Sequence, residues 1–329
     1  MRTRFRITRL LAALLLLPCG GSLPAADADG EVVIASTMDG DRQPALLDIP
    51  AGAQAASKGP SVPLLVFLHS WSARYNQSNA LQDARAESRR RGWVFLSPNF
   101  RGPNNRPEAC GSDLAMHDIL DAVVFARMHA RVDPRRIYLL GGSGGGHMSL
   151  MMAARAPKLW AAVSAWVPIS DLAAWHAFSK RSGSRYAAML ESCCGGPPAS
   201  PAAMREYRAR SPLYHLARAR GLRIAIDAGI HDGHKGSVPV SHSLLAFNEL
   251  AKANGFADCV LSAGEIDEFT AAGRVPEALQ KAVEAEPGRK HKVLFRRSAG
   301  PVRLTIFEGG HEMDVNAGVN WLASTPAPR

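Results

Sequence analysis

A serine flanked by glycines is the residue of this chain best suited to covalent chemistry. Ser143 is the centre of a Gly-Gly-Ser-Gly-Gly stretch, between an apolar run at 137–140 and a helix-forming stretch at 145–156. Where a strand turns sharply into a helix at such a sequence, the hydroxyl projects from the carboxyl edge of the sheet, and small neighbours avoid clashes. We therefore predict Ser143 as an acyl-transfer nucleophile. The alternatives are a flexible glycine loop and a phosphate loop; the second is disfavoured because no Lys-Ser or Lys-Thr pair follows.

A serine hydroxyl needs a base to accept its proton, and the base needs an acid to hold its tautomer. In folds with this turn, the acid and then the base follow the serine along the chain, each after a late strand. Asp232 follows the apolar run 222–226, and His311 follows the run 302–307. We predict Asp232 as the orienting acid and His311 as the base.

Each of these two residues has a rival. Asp227 is an alternative acid, but it comes at the end of an apolar run, where aspartate commonly forms turns. His291 is a weaker alternative base, because it lies in a charged segment between Lys290 and Lys292.

The oxyanion of a tetrahedral intermediate needs N–H donors that are fixed before the charge forms. One donor should be the backbone amide of Gly144, directly after the nucleophile. The other should come from the loop after the apolar run 64–68, from the amide of Ser70 or Trp71. Tyr75 is a candidate for an additional hydroxyl donor.

A histidine-rich segment invites a metal interpretation, since His231, His234 and His242 surround Asp232. A catalytic metal requires ligands on rigid elements with supporting hydrogen bonds, and Asp232 already has a role beside the base. His147 is predicted to be structural. We expect neither a metal nor another cofactor.

Alternating strands and helices must position these residues, and such alternation predicts a doubly wound, mostly parallel sheet with helices on both faces, the α/β-hydrolase fold. Runs at 31–36 and 44–49 predict an edge hairpin. The loop-rich segment 172–220 is predicted to form a lid, and the charged segment 265–297 a helical surface insertion. The predicted strands are 64–68, 93–97, 137–140, 161–167, 222–226 and 302–307, and the predicted helices are 80–91, 114–130, 145–156 and 240–254.

Three cysteines fall on loops that should overhang Ser143. Cys110 follows the second core strand, whereas Cys193 and Cys194 lie in the predicted lid. Because loops at the carboxyl ends of neighbouring parallel strands converge, we predict a disulfide from Cys110 to Cys193 or Cys194. The alternative is unpaired thiols acting as small apolar side chains.

The N-terminus has the pattern of an export signal, residues 1–28, followed by a single domain at 29–329. Four arginines precede an apolar run at 10–17, which is too short for a membrane span. Cys19 raises a lipid anchor as an alternative, but Pro18 does not suit one. The expected location is periplasmic or extracellular, without a stable membrane anchor. The net charge is +10, and the +6 that is left without the four N-terminal arginines (10 − 4) is spread along the chain without a basic stripe, so no nucleic-acid partner is expected.

Several separated motifs, in the right order, resemble the catalytic domain of the prolyl oligopeptidase-type α/β-hydrolases, which include acylaminoacyl peptidases. The resemblance implies the same Ser143, Asp232 and His311. In place of the usual His-Gly-Gly stands His-Ser-Trp at 69–71, four extra residues follow the acid, and the N-terminal β-propeller of such peptidases is not expected. The motifs lie at 132–137, 141–146, 160–171, 207–212, 229–232 with 238–239, and 308–311 with 321–322.

These features predict a secreted serine hydrolase that cleaves a carboxylic ester, with a small-molecule or acylated carbohydrate substrate. An exopeptidase or amidase with the same mechanism is the alternative. A binding protein that has lost catalysis is disfavoured, because all three residues of the proposed triad are present.

Overall fold

Nine strands in the part of the chain that the computed structural model describes, residues 30–325, form one mixed sheet. They are β1 (Glu31–Ala35), β2 (Arg42–Asp48), β3 (Val62–Leu68), β4 (Val94–Pro98), β5 (Val132–Gly142), β6 (Ala162–Trp166), β7 (Ile224–Gly229), β8 (Val293–Ala299) and β9 (Val302–Phe307). The α-helices are α1 (Asn79–Arg90), α2 (Asp113–His129), α3 (Gly144–Arg155), α4 (Leu172–Arg181), α5 (Tyr186–Cys194), α6 (Pro201–Ala209), α7 (Ser241–Ala253), α8 (Ala263–Ala272) and α9 (Val315–Ala323).

The strand order is β1-β2-β4-β3-β5-β6-β7-β9-β8. The six central strands β4, β3, β5, β6, β7 and β9 pair in parallel with one another. Strands β1, β2 and β8, at the two edges, pair antiparallel with their neighbours. After β3 the chain forms β4 on one side of β3, and it then crosses over to form β5 on the opposite side of β3. Because such crossovers are almost always right-handed, connections in these opposite directions place helices on both faces of the sheet. The predicted fold class is confirmed.

The central strands are buried because helices cover both faces of a parallel sheet. All five residues from Leu64 to Leu68 in β3 are almost completely inaccessible to solvent. Helix starts are marked by hydroxyl and carboxylate caps: Ser112 accepts from the Ala115 amide at α2, and Asp171 accepts from the Ala173 amide at α4.

Three helices, α4 to α6, occupy the predicted lid segment between β6 and β7. They build a second apolar cluster, separate from the main core, over the carboxyl edge of the sheet. Its buried members are Trp71, Cys110, Ile169, Leu172, Trp175, Leu190, Cys193, Cys194, Tyr207 and Val238.

The segment predicted as a helical surface insertion, 265–297, is α-helical only as far as Ala272, where α8 ends, and residues 273–292 are mostly loop. Residues from Val293 onward form the edge strand β8, antiparallel to β9. Phe295 and Ala299 are buried, while Arg296 and Arg297 face outward in part. This one-sided pattern is typical of an edge strand with one solvated face, and its arginines concealed it in the sequence.

The predicted export signal, residues 1–28, lies outside the described residues. In residues 30–325, no helix is both long enough and apolar enough to cross a membrane.

Candidate active site

Ser143 lies at a strained turn between β5 and α3, with φ 58° and ψ −119°. Its amide donates to the Trp166 carbonyl at 2.9 Å, which fixes the turn against β6. A Cβ atom on Gly145 would lie 2.0 Å from the Leu68 carbonyl oxygen, so only glycine fits there. The glycines therefore allow α3 to approach β3 and leave the serine hydroxyl at the carboxyl edge of the sheet.

The loops after β7 and β9 bring Asp232 and His311 to Ser143. His311 Nε2 lies 2.8 Å from Ser143 Oγ, and His311 Nδ1 lies 2.7 Å from Asp232 Oδ2. The Asp232 side chain is 1% exposed and that of His311 is 19% exposed. An imidazole held in this way can accept the serine proton while the carboxylate fixes its tautomer.

The second oxygen of Asp232 is held by its own loop. Oδ1 accepts from the amide of Gly233 at 3.0 Å and from that of Val238 at 3.1 Å. Charge-assisted bonds from backbone amides restrict the carboxylate to one orientation. The four residues that lengthen this loop, 233–236, therefore form a turn around the carboxylate.

Asp227, the rival acid, lies within β7 rather than at its end, because the strand continues to Gly229. Its Oδ1 is 2.6 Å from Arg289 Nη2, and both side chains are almost fully buried. His291, the rival base, lies 3.0 Å from Glu312 and stacks on Phe307. Asp227 thus has its partner outside the group around Ser143, and His291 packs away from that group.

The backbone of Gly144 packs closely against that of Trp71. A Cβ atom on Gly144 would be 2.3 Å from the Trp71 nitrogen, and neither amide donates to a protein acceptor within residues 30–325. The amide of Ser70, the other predicted donor, also has no protein acceptor within residues 30–325, and its carbonyl accepts from the Ala73 amide at 3.2 Å, so Ser70 stays a candidate donor. The pair formed by Gly144 and Trp71 can act as an oxyanion hole.

Tyr75 does not supply a donor to this site. Its hydroxyl donates to Glu31 at 2.5 Å, and burial together with this carboxylate raises the pKa of Tyr75 to about 12. The residue fastens the loop after β3 to β1.

The predicted histidine cluster is divided among separate partners. His231 Nε2 lies 2.9 Å from Glu308, His234 Nε2 donates to the Thr270 carbonyl, and His242 Nδ1 accepts from the Ser170 amide. Among the described residues, no group of three or more His, Cys, Asp or Glu side chains is arranged to hold a metal.

Cys110, Cys193 and Cys194 share the apolar cluster under the lid, although 83 positions separate the first two in the sequence. Burial, reinforced by the neighbouring Cys193 and Cys194 thiols, raises the pKa of the Cys110 thiol. All three are free thiols in the structure, so the predicted disulfide is not present. Cys110 has a left-handed backbone (φ 54°), and Asn104 holds its amide.

Sequence reasoning missed the contribution of the lid to the site. Arg210, at the end of α6, donates to the carbonyls of Pro107 and Ala109, both at 2.9 Å. His147 Nε2 on α3 in turn donates to the Arg210 carbonyl at 2.7 Å. The only sign of this role in the sequence was that Arg210 lies in the 207–212 motif, and the motif does not indicate which residues Arg210 contacts.

The sheet, the turn at Ser143 and the lid define an α/β-hydrolase. The prolyl oligopeptidase family profile matches residues 81–265, more than half of the chain, and the protein belongs to that family of serine hydrolases. The matched range contains Ser143 and Asp232 and ends before His311.

Solved structures share the fold. An acylaminoacyl peptidase from Pyrococcus horikoshii is 20% identical with a TM-score of 0.54, over 68% of this chain and 35% of that one. A puromycin-hydrolysing peptidase from Mycobacterium tuberculosis is 19% identical with a TM-score of 0.56, over 92% and 40%. The chain thus spans well under half the length of these relatives. A comparison with curated proteins gave no match.

Proposed function

We propose that the protein hydrolyses a carboxylic ester through Ser143, His311 and Asp232. The observation that carries the proposal is the continuous chain from Ser143 Oγ to His311 Nε2 at 2.8 Å and from His311 Nδ1 to Asp232 Oδ2 at 2.7 Å. This is the hydrogen-bond order that activates a serine.

In the proposed reaction, Ser143 Oγ attacks the carbonyl carbon and His311 Nε2 accepts the hydroxyl proton. The oxygen that becomes negative accepts hydrogen bonds from the Gly144 and Trp71 amides. Collapse of this intermediate breaks the ester bond, and His311 returns the proton to the leaving alcohol. Water then attacks the acyl-enzyme by the same steps, which releases the acid and regenerates the serine.

The preference for an ester over a peptide with a free N-terminus rests on three acids, which belong to the loop after β6, to α5 and to the loop after β9. An aminopeptidase needs a carboxylate to hold the substrate amine. Asp171 caps α4, Glu191 lies 2.8 Å from His176, and Glu312 accepts from the Gly310 amide at 3.2 Å. These acids already have partners. The second candidate, a peptidase or amidase, is favoured by the related structures, which are peptidases.

A substrate panel separates the two candidates. We expect hydrolysis of p-nitrophenyl acetate and acetylated oligosaccharides at rates at least tenfold above those of aminoacyl and N-acetylaminoacyl anilides. The reverse ranking would establish the peptidase. Ser143→Ala should lower kcat by about 10⁴ or more on either class of substrate. Retention of a tenth of the activity would place the nucleophile elsewhere.

We also propose that residues 1–28 direct export. N-terminal sequencing of the exported protein tests this proposal, and an intact N-terminus would contradict it.

A further inference from the structure

A tryptophan of the lid contacts two of the loops that build the active site. Trp175, on α4, is 1% exposed. Its indole N–H donates to the Ser237 carbonyl at 2.7 Å, and its ring lies edge-on to the Trp71 ring with centroids 4.7 Å apart.

The peptide group between Ser237 and Val238 connects Trp175 to Asp232. The Ser237 carbonyl and the Val238 N–H belong to the same planar unit, and the Val238 N–H donates to Asp232 Oδ1 at 3.1 Å. A hydrogen bond to the carbonyl of an amide strengthens donation by its N–H, because the two bonds polarise each other. The chain of contacts therefore runs from the Trp175 indole to Asp232, and from there to His311.

The contact with Trp71 acts at the other side of the site. The Trp71 ring is packed between Trp175 and His147, whose ring centroid lies 5.7 Å away. Its indole nitrogen has no hydrogen-bond partner among the described residues, so packing sets its position. The Trp71 amide lies against Gly144, and movement of the ring would displace that donor.

We infer that Trp175 is a positioning residue that holds both the carboxylate of Asp232 and the amide of Trp71. The inference rests on the proposed function. Because a misplacement of about 1 Å that arises away from the reacting atoms can cost about 100-fold in rate, we expect a measurable effect on turnover. Substrate affinity should change little, since Trp175 itself is inaccessible.

Trp175→Phe tests the inference, because it removes the indole N–H and keeps most of the aromatic surface. We expect kcat to fall about tenfold or more, with KM within about twofold of the unmodified protein. The matched control is Trp160→Phe, which removes the indole bond to the Met152 carbonyl at 3.1 Å at the other end of α3. The control should leave kcat within about twofold. Equal losses of kcat in the two variants, or a change in KM alone, would overturn the inference.

The labelling rate of Ser143 with a fluorophosphonate gives a readout that needs no substrate. We expect Trp175→Phe to slow labelling as much as it slows turnover, whereas Ser143→Ala abolishes labelling. Absence of labelling in the unmodified protein would refute the proposed function, while unchanged labelling in Trp175→Phe would refute only the positioning role. In an Asp232→Ala background the Trp175→Phe effect should shrink, and full additivity would contradict a route through Asp232.

Discussion

Ser143 adopts a backbone conformation, φ 58° and ψ −119°, that residues with a side chain rarely accept. Such conformations cost about 1–3 kcal/mol and persist where the surroundings enforce them. Here the Trp166 carbonyl, which accepts the Ser143 amide, and the close approach of Gly145 to β3 enforce it. The strain is the cost of presenting the hydroxyl to His311.

A glycine at position 143 should therefore be more stable than an alanine. We expect Ser143→Gly to exceed Ser143→Ala in free energy of unfolding by about 1 kcal/mol, after the greater entropy of unfolded glycine is subtracted. Urea denaturation of the two inactive variants measures the difference. A more stable alanine variant would show that the turn is not strained.

The two aspartates that competed for the same role should give opposite phenotypes. Asp232→Asn should lower kcat by about 10⁴ with little change in stability, because it imposes the wrong histidine tautomer. Asp227→Asn should lower the free energy of unfolding by about 2 kcal/mol, because the buried Arg289 then loses its closest counter-ion and keeps only the longer contact with Glu286 at 3.3 Å. Steady-state kinetics and urea denaturation of both variants check this dissociation. A large loss of kcat in Asp227→Asn alone would reverse the assignment.

At the level of elements, the lid is attached to the sheet by hydrogen bonds as well as by apolar packing. Arg210 extends from the end of α6 to the loop after β4, and His147 on α3 holds the Arg210 carbonyl. One arginine therefore connects the lid, the loop that carries Cys110 and the helix that follows Ser143.

Loss of the Arg210 side chain should open the lid locally. Bonds from charged donors contribute about 1.5–3 kcal/mol each, so Arg210→Gln should raise the population of the open lid about tenfold or more. Limited proteolysis of the 182–200 region should accelerate in proportion. Arg208→Gln on the same helix is the control, since Arg208 lies over the exposed Tyr214 ring. If proteolysis accelerates equally in both variants, apolar packing alone holds the lid on the sheet.

Strands that are buried on both faces could be predicted from the sequence. Features that depend on charged side chains, one strand and one ion pair, could not. Strands such as β3 and β9 read as apolar runs because helices cover them. Strand β8 escaped because Arg296 and Arg297 interrupt its apolar residues, and Asp227 seemed a turn residue because its partner, Arg289, lies 62 positions away. An ion pair between residues so far apart in the sequence leaves no pattern in the residues around either partner.

The same distinction applies to the candidate site. The order of Ser143, Asp232 and His311 follows from the connectivity of the fold, and the structure brings the three together. Trp175 and Arg210 act through main-chain carbonyls of distant loops, and a carbonyl is present at every position. No sequence pattern could have identified their partners.

At the scale of the whole molecule, buried histidines make stability sensitive to acid. Burial lowers the pKa of His147 and of His242 from 6.5 to about 4. Above pH 6.5 both are neutral whether the chain is folded or unfolded, and they have no effect. Between pH 6.5 and about 4 only the unfolded chain binds the protons, so the folded state loses up to about 3 kcal/mol per histidine.

Substitution of one of these histidines should reduce the loss. In His242→Asn, an amide oxygen can replace Nδ1 as the acceptor of the Ser170 amide. The free energy of unfolding should then decline by about 3 kcal/mol less between pH 7 and pH 4 than in the unmodified protein. Urea denaturation across this range measures it, with His129→Asn as the control for a histidine that is not fully buried. An unchanged pH dependence in His242→Asn would contradict the account.

The contacts of Trp175 bear on how such proteins can be recombined. A designer who replaces the segment between β6 and β7 with that of a relative would exchange the side chain that supports the Ser237 carbonyl and the Trp71 ring. A chimera would then lose turnover even if its new lid folds and admits substrate. For a chimera to be active, residues 69–72, 172–220 and 233–238 must all come from the same parent.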